Sequence, residues 1–163
     1  MLYLGYPGWA IWQKKQVVRK GIPLEFTTPL SDPQYSYRGT YLPLLLPDKL
    51  NTTTSVRAGE SVYVSFGKTD AGIRPTAILR ERPAEAAYVR AHVRHVADRL
   101  VFLDYPPSLR QMPLNGQEAA QLRQRYRKWM EEQGSEVPKV TVRLYFFRGK
   151  AVADQVLTVE HPR

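Results

Sequence analysis

The feature that most constrains this chain is a period-two alternation of apolar and polar residues, recurring in short runs from Gly21 to the C-terminus and cut by Pro and Gly at each interruption. Side chains on a strand point alternately to its two faces, so such runs describe strands with one face in a core and one in water. The runs are short and separated by turn residues, the signature of short strands joined by turns, and antiparallel pairing is expected. In the longest, Ala87, Val89, Ala91 and Val93 alternate with Tyr88, Arg90, His92 and Arg94 between residues 86 and 96. In Ser61 to Phe66, Val62, Val64 and Phe66 alternate with Ser61, Tyr63 and Ser65, and residues 67–72 supply a hairpin turn into Thr76 to Glu81.

Further strands are expected around Leu24 and Phe26, over Tyr41 to Leu46 and over Leu100 to Leu103, where Pro106-Pro107 ends the sheet because proline donates nothing to a ladder. Val140 to Phe147 and Ala151 to Val159 form a last hairpin across Arg148-Gly149-Lys150. Residues 49–60, with Asn51, three threonines, Ser55 and Gly59, read as a surface loop. One segment breaks the alternation: Leu122, Tyr126, Trp129 and Met130 fall on one helical face between Asn115, a candidate N-cap, and Gly134, a candidate stop. The expected fold is mainly β (α+β): antiparallel sheets or a partly open barrel of about eight strands, with one amphipathic helix before the C-terminal hairpin.

At 163 residues the chain supports one core. A single β-rich domain is expected over 21–163, and residues 1–20 are set apart by composition. Tyr3, Tyr6, Trp9 and Trp12 stand beside Lys14, Lys15, Arg19 and Lys20, a mixture suited to a membrane–water interface, where rings sit at headgroup depth and long cations snorkel. The charges follow the apolar run, the reverse of a secretory signal. Residues 1–12 are too short to span a bilayer, and Gly5, Pro7 and Gly8 are expected to spoil a helix there. The same aromatics could equally be tucked into the domain's own core.

With 24 Lys and Arg against 15 Asp and Glu, the net charge is +9, which suits acidic partners without choosing among them; the cations are spread along the chain and not gathered in a block. Cysteine is absent, which removes disulfides, thiolate metal sites and cysteine nucleophiles. No phosphate-binding loop, nucleophile elbow, dinucleotide fingerprint or zinc-protease helix occurs, and no catalytic residue, metal site or cofactor is expected. His92 and His95, three apart on a strand, are expected on opposite faces. Asp32, Asp70, Asp98 and Asp104 leave a carboxylate site open as a hydrolase alternative.

The most distinctive string is Asp32-Pro33-Gln34-Tyr35-Ser36-Tyr37-Arg38-Gly39-Thr40-Tyr41-Leu42-Pro43-Leu44. Asp32-Pro33 suits a turn and Gly39 a tight bend, while Arg38 is placed to pair with Asp32 or stack on Tyr35 or Tyr37. Tyr35, Tyr37, Arg38, Gly39 and Tyr41 form a candidate binding surface, since exposed Tyr and Arg supply contact area and hydrogen bonds at small entropic cost.

This string resembles the GDYXXLXY family of bacterial proteins, whose motif follows an Asp-Pro turn and an aromatic-Arg pair. Asp32, Pro33, Tyr37, Arg38, Gly39, Tyr41 and Leu44 stand where that pattern has them; Thr40 replaces the motif's Asp and Leu46 its last Tyr. A looser similarity continues through Gly59, Val62, Tyr63 and Val64, the segment around Asp104 and Glu118, and the final hairpin. The resemblance implies a periplasmic domain of unknown function, held to the bacterial inner membrane by one N-terminal helix, so that residues 1–20 would be the membrane-proximal end of an anchor. The expected partners are then an integral membrane protein and, at the N-terminus, lipid headgroups. A nucleic-acid-binding module is the alternative that charge suggests, though nucleic acid is not the expected partner.

Overall fold

In the computed structural model, the described residues are 5–37, 39–69, 72–84, 87–132 and 136–160. They form eleven strands and three helices, with every strand pairing antiparallel. The expected β-rich fold, with a helix ahead of the C-terminal strands, is the fold observed. More strands are present than the alternation reveals, because several are only three residues long.

Three sheets share one hydrophobic cluster. The first has the order β1-β10-β11, where β1 is Ile22–Pro29, β10 is Lys139–Phe147 and β11 is Lys150–Glu160. The second has the order β2-β3-β9, from Gln34–Ser36, Gly39–Pro43 and Gln111–Pro113. The third has five strands in the order β4-β8-β7-β5-β6: Lys49–Asn51, Leu100–Asp104, Tyr88–Ala97, Ser61–Thr69 and Gly72–Leu79. Val62, Val64, Val89, Ala91 and Val93 face inward from the five-stranded sheet, and Val140, Val142, Leu144 and Phe146 from β10. The two layers meet where the Phe66 ring lies 5.3 Å from that of Phe146 and 5.7 Å from that of Tyr105, within the range of favourable aromatic pairs.

Helix α3, Gly116–Glu131, starts at a reciprocal cap: the Asn115 side chain accepts from the Glu118 N–H at 2.8 Å, and the Glu118 carboxylate accepts from the Asn115 N–H. Leu122 is buried and Tyr126 and Trp129 half-buried, but Met130 is 55% exposed. The apolar stripe therefore lifts off the core in its last turn. Gly134 lies outside the described residues.

The N-terminal segment departs from expectation. Helix α1 spans Gly5–Lys20 and rests on β10 and β11, with Val17 only 3% exposed. Pro7 stands in the first turn of the described helix, so its missing N–H breaks no hydrogen bond between described residues of α1. The helix stops at Gly21, whose N–H donates to the Val17 carbonyl at 2.8 Å; a β-carbon at Gly21 would collide with that carbonyl and with the Phe146 backbone. No described helix is long and apolar enough to cross a membrane.

Three further corrections are local. The strand expected over Tyr41 to Leu46 ends at Pro43, although Leu44 and Leu46 still point inward and Leu45 outward. The loop expected at 49–60 begins with β4, which pairs with β8. After Pro106 the chain makes a one-turn helix, α2 (Pro107–Arg110), pinned by the fully buried Leu109, and then β9.

Candidate functional site

The three sheets leave an open cavity of about 560 Å³ where their margins converge beneath α1. Its walls come from α1 (Lys14, Val17), the β2–β3 hairpin (Ser36, Gly39, Tyr41), α2 (Ser108), β7 (Arg90) and the start of β11 (Lys150 to Ala153). Each wall has a local cause. The β2–β3 turn closes with Ser36 opposite Gly39, whose φ of 113° belongs to the region glycine favours, and the Ser36 hydroxyl donates to the Gly39 carbonyl at 3.2 Å. The hairpin is bound to β9 through Leu42 and Met112, both fully buried, and the Leu114 N–H donates to the Thr40 carbonyl at 3.0 Å. Pro107 begins α2 where a missing N–H is harmless, and the Arg110 carbonyl accepts from the Leu44 N–H at 2.8 Å.

The opposite wall depends on the β10–β11 turn. Arg148 and Gly149 both have positive φ, 48° and 80°, the pattern of a two-residue turn whose twist matches that of its flanking strands. Gly149 is also needed for space: a β-carbon there would lie 3.2 Å from the Tyr88 ring. This close approach brings β7 alongside, so that Arg90 and Lys150 border the same cavity. Together with Lys14 they give it three cationic side chains, and no Asp or Glu is among its described lining residues. Neither Lys14 nor Arg90 has an ion-pair partner among the described residues.

The candidate binding surface is divided by this geometry. Gly39 and the half-buried Tyr41 line the cavity, whereas Tyr35 and Tyr37 are 82% and 91% exposed and are not among its lining residues. Arg38 lies outside the described residues. Of the interface candidates, Trp12 is 57% exposed, Lys14 and Lys15 are exposed, and Lys14 lines the cavity. Tyr3, and the side chains of Tyr6 and Trp9, lie outside the described residues.

The turn residues have an unforeseen partner. Asp32 faces Arg123 of α3, with 3.6 Å between Oδ1 and Nε, and an Arg123 guanidinium nitrogen donates to the Pro33 carbonyl at 3.5 Å. The pairing joins residues far apart in the chain, which local spacing does not reveal.

The histidines also differ from expectation. A bulge between Val93 and His95 leaves Arg94 without an opposite residue on β8, so His92 faces Asp104 and His95 faces Phe102 on the same solvent side. His92 Nδ1 lies 3.1 Å from the Ser61 hydroxyl, and the His95 ring packs 5.5 Å from that of Phe102. Arg94, pushed outward, bridges Asp48 and Asp104 at 3.5 Å each. The carboxylates weighed for hydrolysis are dispersed: Asp32 faces α3, Asp104 is held by Arg94, Asp98 sits in the β7–β8 turn with φ of 56°, and Asp70 lies outside the described residues. Exposed cations are likewise spread, over α1 (Lys15), β6 (Arg74), α3 (Arg125, Arg127) and β10 (Lys139).

No family model, no curated protein and no solved structure matches this chain.

Proposed function

We propose that this chain is the extracytoplasmic, β-rich part of a bacterial inner-membrane protein of the GDYXXLXY type, anchored through its N-terminal segment, and that it acts by binding a partner membrane protein and not by chemistry. The observation that carries this reading is the β2–β3 hairpin: Tyr35 and Tyr37 present almost their whole side chains to solvent at its tip. Large exposed aromatics on a short, hydrogen-bonded hairpin supply contact area at little further entropic cost, the economy that interface anchors use. The hairpin shares a cavity with α1, whose exposed Trp12, Lys14 and Lys15 have the amphipathic character that headgroup regions favour.

The test is made on the full-length protein in its native cells. It should stay with the membrane fraction through an alkaline wash, and a photo-crosslinking amino acid at Tyr37 should capture a discrete integral membrane protein that the same probe at Arg125 does not. Recovery in the soluble fraction would remove the anchored reading. Equal capture from both positions would remove the hairpin as the contact.

A further inference from the structure

We propose that the cavity beneath α1 binds a phosphate monoester carried on an apolar chain, an amphiphilic anion whose charged end sits among Lys14, Arg90 and Lys150. The site goes beyond the hairpin contact and requires nothing of it.

Three properties of the cavity select this ligand class. The first is charge: Lys14, Arg90 and Lys150 line it, no Asp or Glu is among its described lining residues, and Lys14 and Arg90 have no ion-pair partner among the described residues. A phosphate monoester carries roughly −1.5 to −2 near neutral pH, a closer match to two or three cations than a monocarboxylate. Hydrogen bonds from guanidinium and ammonium groups to phosphate oxygens are also the strong, charge-assisted kind. The second is the neutral donor set, with Thr40 and Ser108 on the same lining. The third is the remaining wall, built by Val17, Tyr41, Pro106, Pro113, Val152 and Ala153. A volume near 560 Å³ falls within the roughly 300–1,000 Å³ of small-molecule sites and far exceeds what a bare phosphate fills. Apolar walls left around a hydrated phosphate would gain nothing, whereas an alkyl chain laid on them is removed from water.

The charged groups come from three elements that only the tertiary fold brings together. Lys14 is on α1, Arg90 on β7 and Lys150 at the β10–β11 turn, where the close packing of Gly149 on Tyr88 sets the approach of the two strands. Arg90 is the cation to alter: its side chain is exposed, and its strand is fixed through the backbone and through Val89 and Ala91.

Octyl phosphate, octanol and inorganic phosphate should each be titrated into the chain by calorimetry. Octyl phosphate is expected to bind saturably, and at least about tenfold more tightly than either of the others, since each lacks one half of the ligand. Arg90→Gln and Ser108→Asp should each weaken octyl phosphate about tenfold or more, with thermal melts showing both variants folded, while Arg125→Gln on α3 should leave binding unchanged. Equal affinity for octanol or for inorganic phosphate would overturn the proposal, as would octyl phosphate binding indifferent to Arg90→Gln and Ser108→Asp. Flotation with phosphatidylcholine vesicles, with and without phosphatidic acid, then identifies the source. Cavity-dependent binding to the doped vesicles supports a lipid headgroup, and binding of octyl phosphate alone supports a soluble ester.

Discussion

Tyr105 offers a perturbation whose size changes with pH. It follows β8 directly, is 4% exposed, packs its ring on Phe66 and donates its hydroxyl to the Pro47 carbonyl at 2.6 Å, fastening the segment between β3 and β4 to the sheet. Burial pushes the phenol well above its usual value near 10, and the neighbouring Asp48 carboxylate raises it further. Replacing Tyr105 by Phe keeps the ring and removes the bond, leaving the Pro47 carbonyl without that donor, so about 1–2 kcal/mol should be lost near neutral pH. Above about pH 10 the unfolded chain releases the phenolic proton while the folded one keeps it. A folded pKa raised above the unfolded one stabilises fully below the unfolded value, and that stability falls by about 1.4 kcal/mol per pH unit beyond it. The Phe variant lacks this loss. Its deficit should be constant from about pH 7 to 9, shrink from about pH 10 and vanish close to pH 11, the other tyrosines cancelling in the difference. Urea unfolding of both proteins across that range measures it. A deficit that stays constant up to pH 11 would refute the reasoning, because the hydroxyl would then ionise as readily folded as unfolded.

Asn115→Ala removes the reciprocal cap of α3 and should cost about 1 kcal/mol in urea unfolding, with octyl phosphate affinity untouched. Thr28 is fully buried and its hydroxyl oxygen accepts from the Leu45 N–H at 3.2 Å; Thr28→Val keeps the shape but strands that N–H, for an expected loss of about 1–3 kcal/mol and faster amide exchange at Leu45. Gly149→Ala should cost about 1–2 kcal/mol through its positive φ and the Tyr88 contact, and, unlike Asn115→Ala, should also weaken octyl phosphate by moving one wall of the cavity.

The strands most legible in the sequence are those long enough to show a period and buried on one face. Ala87, Val89, Ala91 and Val93 are all inward, and the hairpin from Val140 to Val159 lies where the alternation puts it. The α3 cap was legible because Asn115 and Glu118 act within one turn. What escaped has physical reasons. Strands β4 and β9 have three residues each, too few to display a period, and exist because longer neighbours offer them partners. Helix α1 is hidden because Gly5, Pro7 and Gly8 stand together as strong breakers in the sequence, whereas all three fall at the start of the described helix. The bulge at Arg94 shifts side-chain direction without any glycine or proline to mark it. Of the residues that line the cavity, Gly39 and Tyr41 belong to the distinctive local string, while Arg90 and Lys150 reach it from distant strands and carry no signature of their own.

The order of the first sheet determines how the molecule bears load. Strand β10 lies between β1 and β11; Ile22 and Ala151 both face Phe146 at one end of it, and Pro29 and Glu160 both face Lys139 at the other. The chain therefore enters this sheet at one pole and leaves β11 at the opposite pole. A pull between the two runs along the strands, in shear. The ladders on both sides of β10 then resist together, and their bonds must fail nearly at once instead of opening one by one like a zipper. A domain fixed at α1 and drawn from beyond Glu160 would hold its shape under tension that would peel open a sheet with both ends at one pole.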